Sequence, residues 1–163
     1  MAGARNKWTD SWLRFLGLMP SDRQRSLDIL QERYIEEKHH VQRFTYHAQQ
    51  MRYRQFRDKP LEIAAEEQEH ADWLGDQISR LRGKFPDVPE LSVAGANNWQ
   101  LLLADFDEES HCAAELVEQI RMIQDACPDV GDVLQRIHDD EIRHRDEIQE
   151  MLMRSDPQSA LAA

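Results

Sequence analysis

Two stretches of this chain repeat one pattern, Glu67-x-x-His70 and Glu141-x-x-His144. Residues three apart on a helix share a face, so each pair can offer a carboxylate oxygen and an imidazole nitrogen to one point. Two further glutamates interrupt apolar stripes: Glu37 among Tyr34, Val41 and Phe44, and Glu109 among Leu102, Phe106, Ala113 and Leu116. The pairs themselves interrupt Ile63, Ala71 and Leu74 in one case and Ile137, Ile148 and Leu152 in the other. An ionised carboxylate in an apolar core costs several kcal/mol unless something compensates it. Here four would converge, and no Lys or Arg reads as inward beside them. Two divalent cations would neutralise four carboxylates in full. Oxygen and imidazole donors together suit iron or manganese, and zinc could also bind. The expected metal ligands are therefore Glu37, Glu67, His70, Glu109, Glu141 and His144.

Glu-x-x-His also occurs at Glu36/His39, Glu37/His40 and Glu108/His111, so the spacing alone discriminates little. Its coincidence with four apolar stripes carries the reading. Glu36, Glu108, His39 and His111 are expected on a solvated face. His40 and His47 fall nearer the inward stripe, and His47 competes with Glu37. A first helix unbroken to Lys59 would bring His47, not Glu37, level with Glu67.

The elements that must position these residues are helices. Ser21 is an N-cap signal, with Gln24 completing a capping box. The stripe Leu27, Leu30, Tyr34, Val41, Phe44, Ala48, Met51 then steps in threes and fours, the helical period. This predicted α1 fades between Arg54 and Lys59. Pro60 suits the first turn of α2, which runs to Gly83 as C′ residue with Ile63, Ala64, Ala71, Leu74, Ile78 and Leu81 inward. Predicted α3 spans about Asn98 to Ala126, with Leu102, Phe106, Ala113, Leu116, Ile120 and Ile123 inward. Predicted α4 spans about Asp129 to Arg154, with Val133, Leu134, Ile137, Ile148 and Leu152 inward. Short α1–α2 and α3–α4 links make two antiparallel hairpins. The fourteen residues from Lys84 to Asn97 could reach roughly 45 Å, enough to cross the whole bundle.

The hairpins look like copies of one another. A shift of 72 positions lays Tyr34, Glu36, Glu37, His39 and Phe44 on Phe106, Glu108, Glu109, His111 and Leu116. A shift of 74 lays Ile63, Glu66, Glu67, His70 and Leu74 on Ile137, Asp140, Glu141, His144 and Ile148. Two facing copies would give a symmetric site at mid-bundle, and the repeat favours Glu37 over His47.

Length and charge agree. A chain of 163 residues fits one domain with a real core. Its 31 acidic and 20 basic side chains leave a net charge of -11, which repels nucleic acid and attracts cations. Cys112 and Cys127 form no CxxC pair, which excludes a rubredoxin-type iron site and a zinc ribbon. A reducing cytoplasm is the default location, and no segment is apolar long enough to span a bilayer.

The sequence resembles the ferritin-like carboxylate di-iron proteins, bacterioferritin and rubrerythrin above all. Glu37 with Phe44 and His47 is similar to the bacterioferritin first helix, with Phe44 where Tyr is usual. The run Glu66 to Asp72 is similar to its second-helix motif, Glu109 with Leu116 and Ile120 to its third, and Asp140 to His144 to its fourth. The resemblance covers about Leu27 to Leu152. It implies an all-α ferritin-like four-helix bundle of two antiparallel hairpins with a long α2–α3 crossover, over residues 21–154. Glu67 and Glu141 would bridge two iron ions, with manganese as the alternative metal. Glu37 and His70 would complete one ion, and Glu109 and His144 the other. Glu66 and Asp140 would orient the imidazoles. The implied activity is reaction with O2 or H2O2, oxidising Fe2+ as a ferroxidase or peroxide scavenger. The alternatives are a monooxygenase on a small organic substrate and non-enzymatic iron storage. Gln68 stands where bacterioferritin has its haem-ligating Met, so no haem is expected. Residues 1–20 are expected to form a short helix carrying Trp8, Trp12 and Phe15, packed on the bundle or on a second subunit. Residues 155–163 are expected to be a disordered tail, too short for a fifth helix. A homodimer or small homo-oligomer is expected.

Overall fold

The computed structural model describes residues 21–51, 54–92 and 97–155. The expected N-terminal helix and the tail beyond Ser155 lie outside the described residues. Four helices follow in order: α1 Asp22–Gln50, α2 Arg54–Arg80, α3 Asn98–Ile123 and α4 Pro128–Met153. No helix among the described residues is long and apolar enough to cross a membrane.

Each helix buries a seam whose members step by three and four. On α1 the seam is Leu30, Arg33, Glu37, His40, Phe44, His47 and Met51; on α4 it is Val130, Leu134, Ile137, Glu141, His144, Ile148 and Met151. A repeat near 3.5 residues packs helices at a shallow angle, ridges of one in grooves of the next. Tyr34, Val41, Leu81, Phe106, Val133 and Leu152, expected inward, are only half-buried beside these seams. The true seams run through polar residues, so an apolar-only stripe was tilted by about one position.

Two apolar clusters form, and the polar members of the seams lie between them. One gathers Leu30, Leu74, Ile78, Leu116, Leu134 and Ile137, among others. The other gathers Phe44, Met51, Ile63, Leu102, Ile148 and Met151. Each large aliphatic side chain so buried contributes about 1.5–3 kcal/mol, which sets the scale for what holds the acidic layer in place.

The α1–α2 turn differs from expectation. α1 ends at Gln50, and the Met51 N–H returns to the carbonyls of His47 and Ala48. α2 is already helical at Arg54, so Pro60 lies inside it rather than at its start. A proline in the second turn removes only one hydrogen bond near the frayed end, which a buried apolar face outweighs. Placing the turn there makes Glu37, not His47, the residue level with Glu67.

Caps fix the other ends. The Ser21 hydroxyl accepts from the Gln24 N–H at 3.1 Å, but the Gln24 side chain reaches Asp28 instead of closing a capping box. At the end of α2 the left-handed residue is Arg82 (φ 51°), not Gly83. The Arg82 N–H reaches Ser79 O and the Gly83 N–H reaches Ile78 O, a Schellman pair one residue earlier than expected. Gly83 is needed for space: a Cβ there would lie 2.4 Å from Leu27 Cδ2.

The crossover begins as a strap along α1. Gln31 donates to Lys84 O at 2.7 Å, His39 Nε2 donates to Pro89 O at 3.0 Å, and Gln42 accepts from the Leu91 N–H at 3.1 Å. Phe85 meets Tyr34 edge-on, with centroids 5.5 Å apart.

Candidate metal centre

Midway along the bundle each helix sends one polar turn inward. Glu37, Glu67, His70, Glu109, Glu141 and His144 are each at most 1% exposed. Atoms of Glu37, Glu67, His70 and Glu141 come within 4.8 Å of one another, and so do atoms of His40, Glu67, Glu109 and Glu141. Both groups contain Glu67 and Glu141. Five of the six expected residues therefore fall into these groups, and His40 joins them. His144 belongs to neither group, but its Nδ1 lies 3.0 Å from Glu67 Oε1.

The two expected orienting carboxylates are in place, each reaching across from the opposite hairpin. His70 Nε2 donates to Asp140 Oδ2 at 3.2 Å, and His144 Nε2 donates to Glu66 Oε2 at 2.6 Å. Arg143 binds both acids, Glu66 at 2.9 Å and Asp140 at 2.6 Å. In both rings Nδ1 faces the cluster, and His70 Nδ1 donates to Glu67 Oε2 at 3.1 Å; a bound ion would take the place of that proton, with Nε2 still held by its acid. Replacing Glu66 by alanine should weaken metal binding about 10- to 100-fold, with the number of ions unchanged at saturation. Equilibrium titration of the variant beside the parent chain measures this.

The electrostatics are those of an acidic knot whose nearest counter-charges are imidazoles. Burial, then Glu67 and Glu141, hold the Glu37 carboxyl well above its ordinary range. Burial, then Glu141, do the same for Glu109. Burial also opposes ionisation of Glu67, but the imidazoles of His144, His40 and His70 hold it well below that range. His70 is pushed up to about 11: burial disfavours its cation, and Glu37 and Glu67 more than offset this.

One expectation about charge needs correction. Arg33 is fully buried, one turn before Glu37. Its guanidinium is bound to Glu36 at 2.5 Å and Glu115 at 2.6 Å, and it reaches Cys112 Sγ at 3.2 Å. A long side chain can bury its stem at a seam position while its head finds acids at the edge. Among the described residues, no Lys or Arg comes within ion-pair distance of Glu37, Glu67, Glu109 or Glu141.

His47 pairs elsewhere. Its Nδ1 donates to Asp105 Oδ2 at 2.6 Å, with both residues almost wholly buried. Arg33 and Asp105 escaped the sequence reading as inward groups. Their signal was the unbroken three-and-four spacing with Leu30, Glu37 and Glu109.

The residues fit metal ions on the chemistry of their donors. Both oxygens of Glu37, Glu109 and Glu141, one of Glu67, and the Nδ1 atoms of His40 and His144 are buried without a hydrogen-bond partner. His144 Nδ1 and Glu67 Oε1 are 3.0 Å apart yet not hydrogen-bonded. Ligand atoms about 2.1 Å from a shared ion and at right angles lie about 3.0 Å apart.

Two antiparallel hairpins joined by a long crossover, with a layer of buried acids and imidazoles at mid-height, constitute a ferritin-like four-helix bundle with a candidate metal site. No protein-family model matches the chain, and neither does any curated protein. Solved structures match at the level of fold. Bacterioferritin of Mycobacterium tuberculosis superposes with a TM-score of 0.71 at 21% identity, over 78% of this chain and 84% of that one. A ferritin-like, diiron-carboxylate protein of Bacillus anthracis gives 0.73 at 21% identity, over 82% and 99%. A protein of Xanthomonas campestris pv. campestris gives 0.74 at 16% identity, over 81% and 90%.

Proposed function

We propose that this chain is a di-iron carboxylate protein that oxidises Fe2+ with O2 or H2O2. The observation that carries the reading is the pair of overlapping four-residue groups that share Glu67 and Glu141. Glu67 and Glu141 would contribute to both ions; Glu37 and His70 would complete one, and Glu109 and His144 the other. Iron is the expected metal and manganese the alternative. Bound iron supplies the capacity to pass single electrons to an oxygen species, and a pair of ions supplies two. With peroxide, two Fe2+ give one electron each, two protons are taken up, and two waters result.

The chain's own groups do the rest. Glu66 and Asp140 hold the Nε2 protons and fix both rings with Nδ1 toward the cluster, where an ion would displace the proton that His70 shares with Glu67. Two apolar clusters exclude bulk water from above and below the layer. The net charge of -11 draws cations toward the bundle. Assembly as a homodimer or small homo-oligomer in the cytoplasm belongs to the same reading, and light scattering on a sizing column tests the oligomeric state.

The activity is tested by stopped-flow mixing of the metal-free protein with Fe2+ under O2 or H2O2. Ferric absorbance should rise much faster than in protein-free buffer. Bound Fe2+ that oxidises no faster than in buffer, with either oxidant, would overturn the proposal.

A further inference from the structure

We propose that His40 is a ligand to the ion on the Glu109 side only, so that the two metal positions differ and fill one after the other. This rests on the di-metal reading above. His40 is 1% exposed and stands one turn past Glu37 on α1. Its Nδ1 has no hydrogen-bond partner. That atom lies 3.9 Å from Glu67 Oε2 and 3.9 Å from Glu109 Oε1. Such a separation is too long for a hydrogen bond. Two ligands each about 2.1 Å from a shared ion lie between about 3.0 Å (at right angles) and 4.2 Å (opposite) apart, so it suits two ligands of one ion. On the outer side of the ring Phe44 packs edge-on, with centroids 6.4 Å apart.

The internal repeat shows why only one side has this ligand. The shift of 72 that lays Glu37 on Glu109 lays His40 on Cys112. The mate of the imidazole is thus a buried thiol, and the guanidinium of Arg33 sits against its sulfur at 3.2 Å. The Glu37 side therefore lacks an added nitrogen donor and carries a fixed positive charge nearby. Both differences favour a cation on the Glu109 side, so that position fills first.

The probe is Co2+ alone, titrated anaerobically into the full metal-free chain. Wild type should bind two Co2+ in two steps separated by at least about tenfold. In His40→Gln the tighter step should weaken by at least about tenfold, while the total stays at two. An independent readout needs no variant. Proton NMR of the Co2+-loaded wild type should show three strongly shifted, exchangeable imidazole N–H signals, one each for His40, His70 and His144. Two such signals, or steps that His40→Gln leaves unchanged, would overturn the role of His40 while leaving the two-ion centre standing. Wild type that binds no Co2+ would overturn the centre and this assignment together.

Discussion

Replacing Glu67 by alanine should take the chain from about two bound metal ions to near none. Glu67 belongs to both four-residue groups, so its loss removes a donor from each ion at once. It also lies 3.1 Å from His70 Nδ1 and 3.0 Å from His144 Nδ1. Glu37→Ala, by contrast, removes a donor from one group only and should leave about one ion. Elemental analysis after loading and desalting separates these outcomes, with circular dichroism showing that the helices persist. Two ions retained by Glu67→Ala would show that Glu67 does not bridge.

Metal loading should raise stability more than any single substitution at the site changes it. An ion held at a thousand times its Kd contributes about 4 kcal/mol, so two contribute about 8 kcal/mol. For a domain of this size that raises Tm by on the order of 20 °C, and a chelator should reverse it. The metal-free chain should show the opposing repulsion through its pH dependence. Glu37 and Glu109 bind protons more tightly folded than unfolded, because burial and neighbouring carboxylates raise them. His70, raised to about 11, does the same across the histidine range. Wherever the folded state holds the extra protons, stability falls as pH rises. The contribution of Glu67 runs the other way, but it is complete above the ordinary carboxylate range and does not oppose the trend. Metal-free Tm should therefore fall steadily from about pH 5 to about pH 9. Glu109→Gln, which removes one ionisable carboxyl from the layer, should flatten that fall with pH and weaken metal binding. A metal-free Tm that climbs with pH would contradict this account of the acidic layer.

What the residues disclosed before any coordinates was the chemistry that costs most to bury. Four glutamates in apolar stripes have few explanations, and the repeat doubled the signal by matching Glu37 with Glu109 and His70 with His144. Helix identity was equally legible, because Ser21, the span from Lys84 to Asn97 and Pro128 punctuate long periodic runs. The α1–α2 turn was not. No Gly, Asn or Pro marks positions 50–53, while Pro60 advertises a helix start that the chain does not use. Arg33 and Asp105 were hidden by their type: each reads as surface, and only the coordinates supply the partners that let them sit inside. The left-handed residue is Arg82 rather than Gly83, whose added Cβ would crowd Leu27, a tertiary contact that local turn preferences do not encode.

The strap laid over α1 has a consequence for how copies of this chain can meet. Gln31, Tyr34, His39 and Gln42 form one ridge of that helix, and the chain's own backbone from Lys84 to Leu91 already occupies it. Displacing that backbone would break all three of its hydrogen bonds to Gln31, His39 and Gln42. Any second copy that docked would find this ridge already taken, and the crossover serves as built-in upholstery as well as a tether between the hairpins.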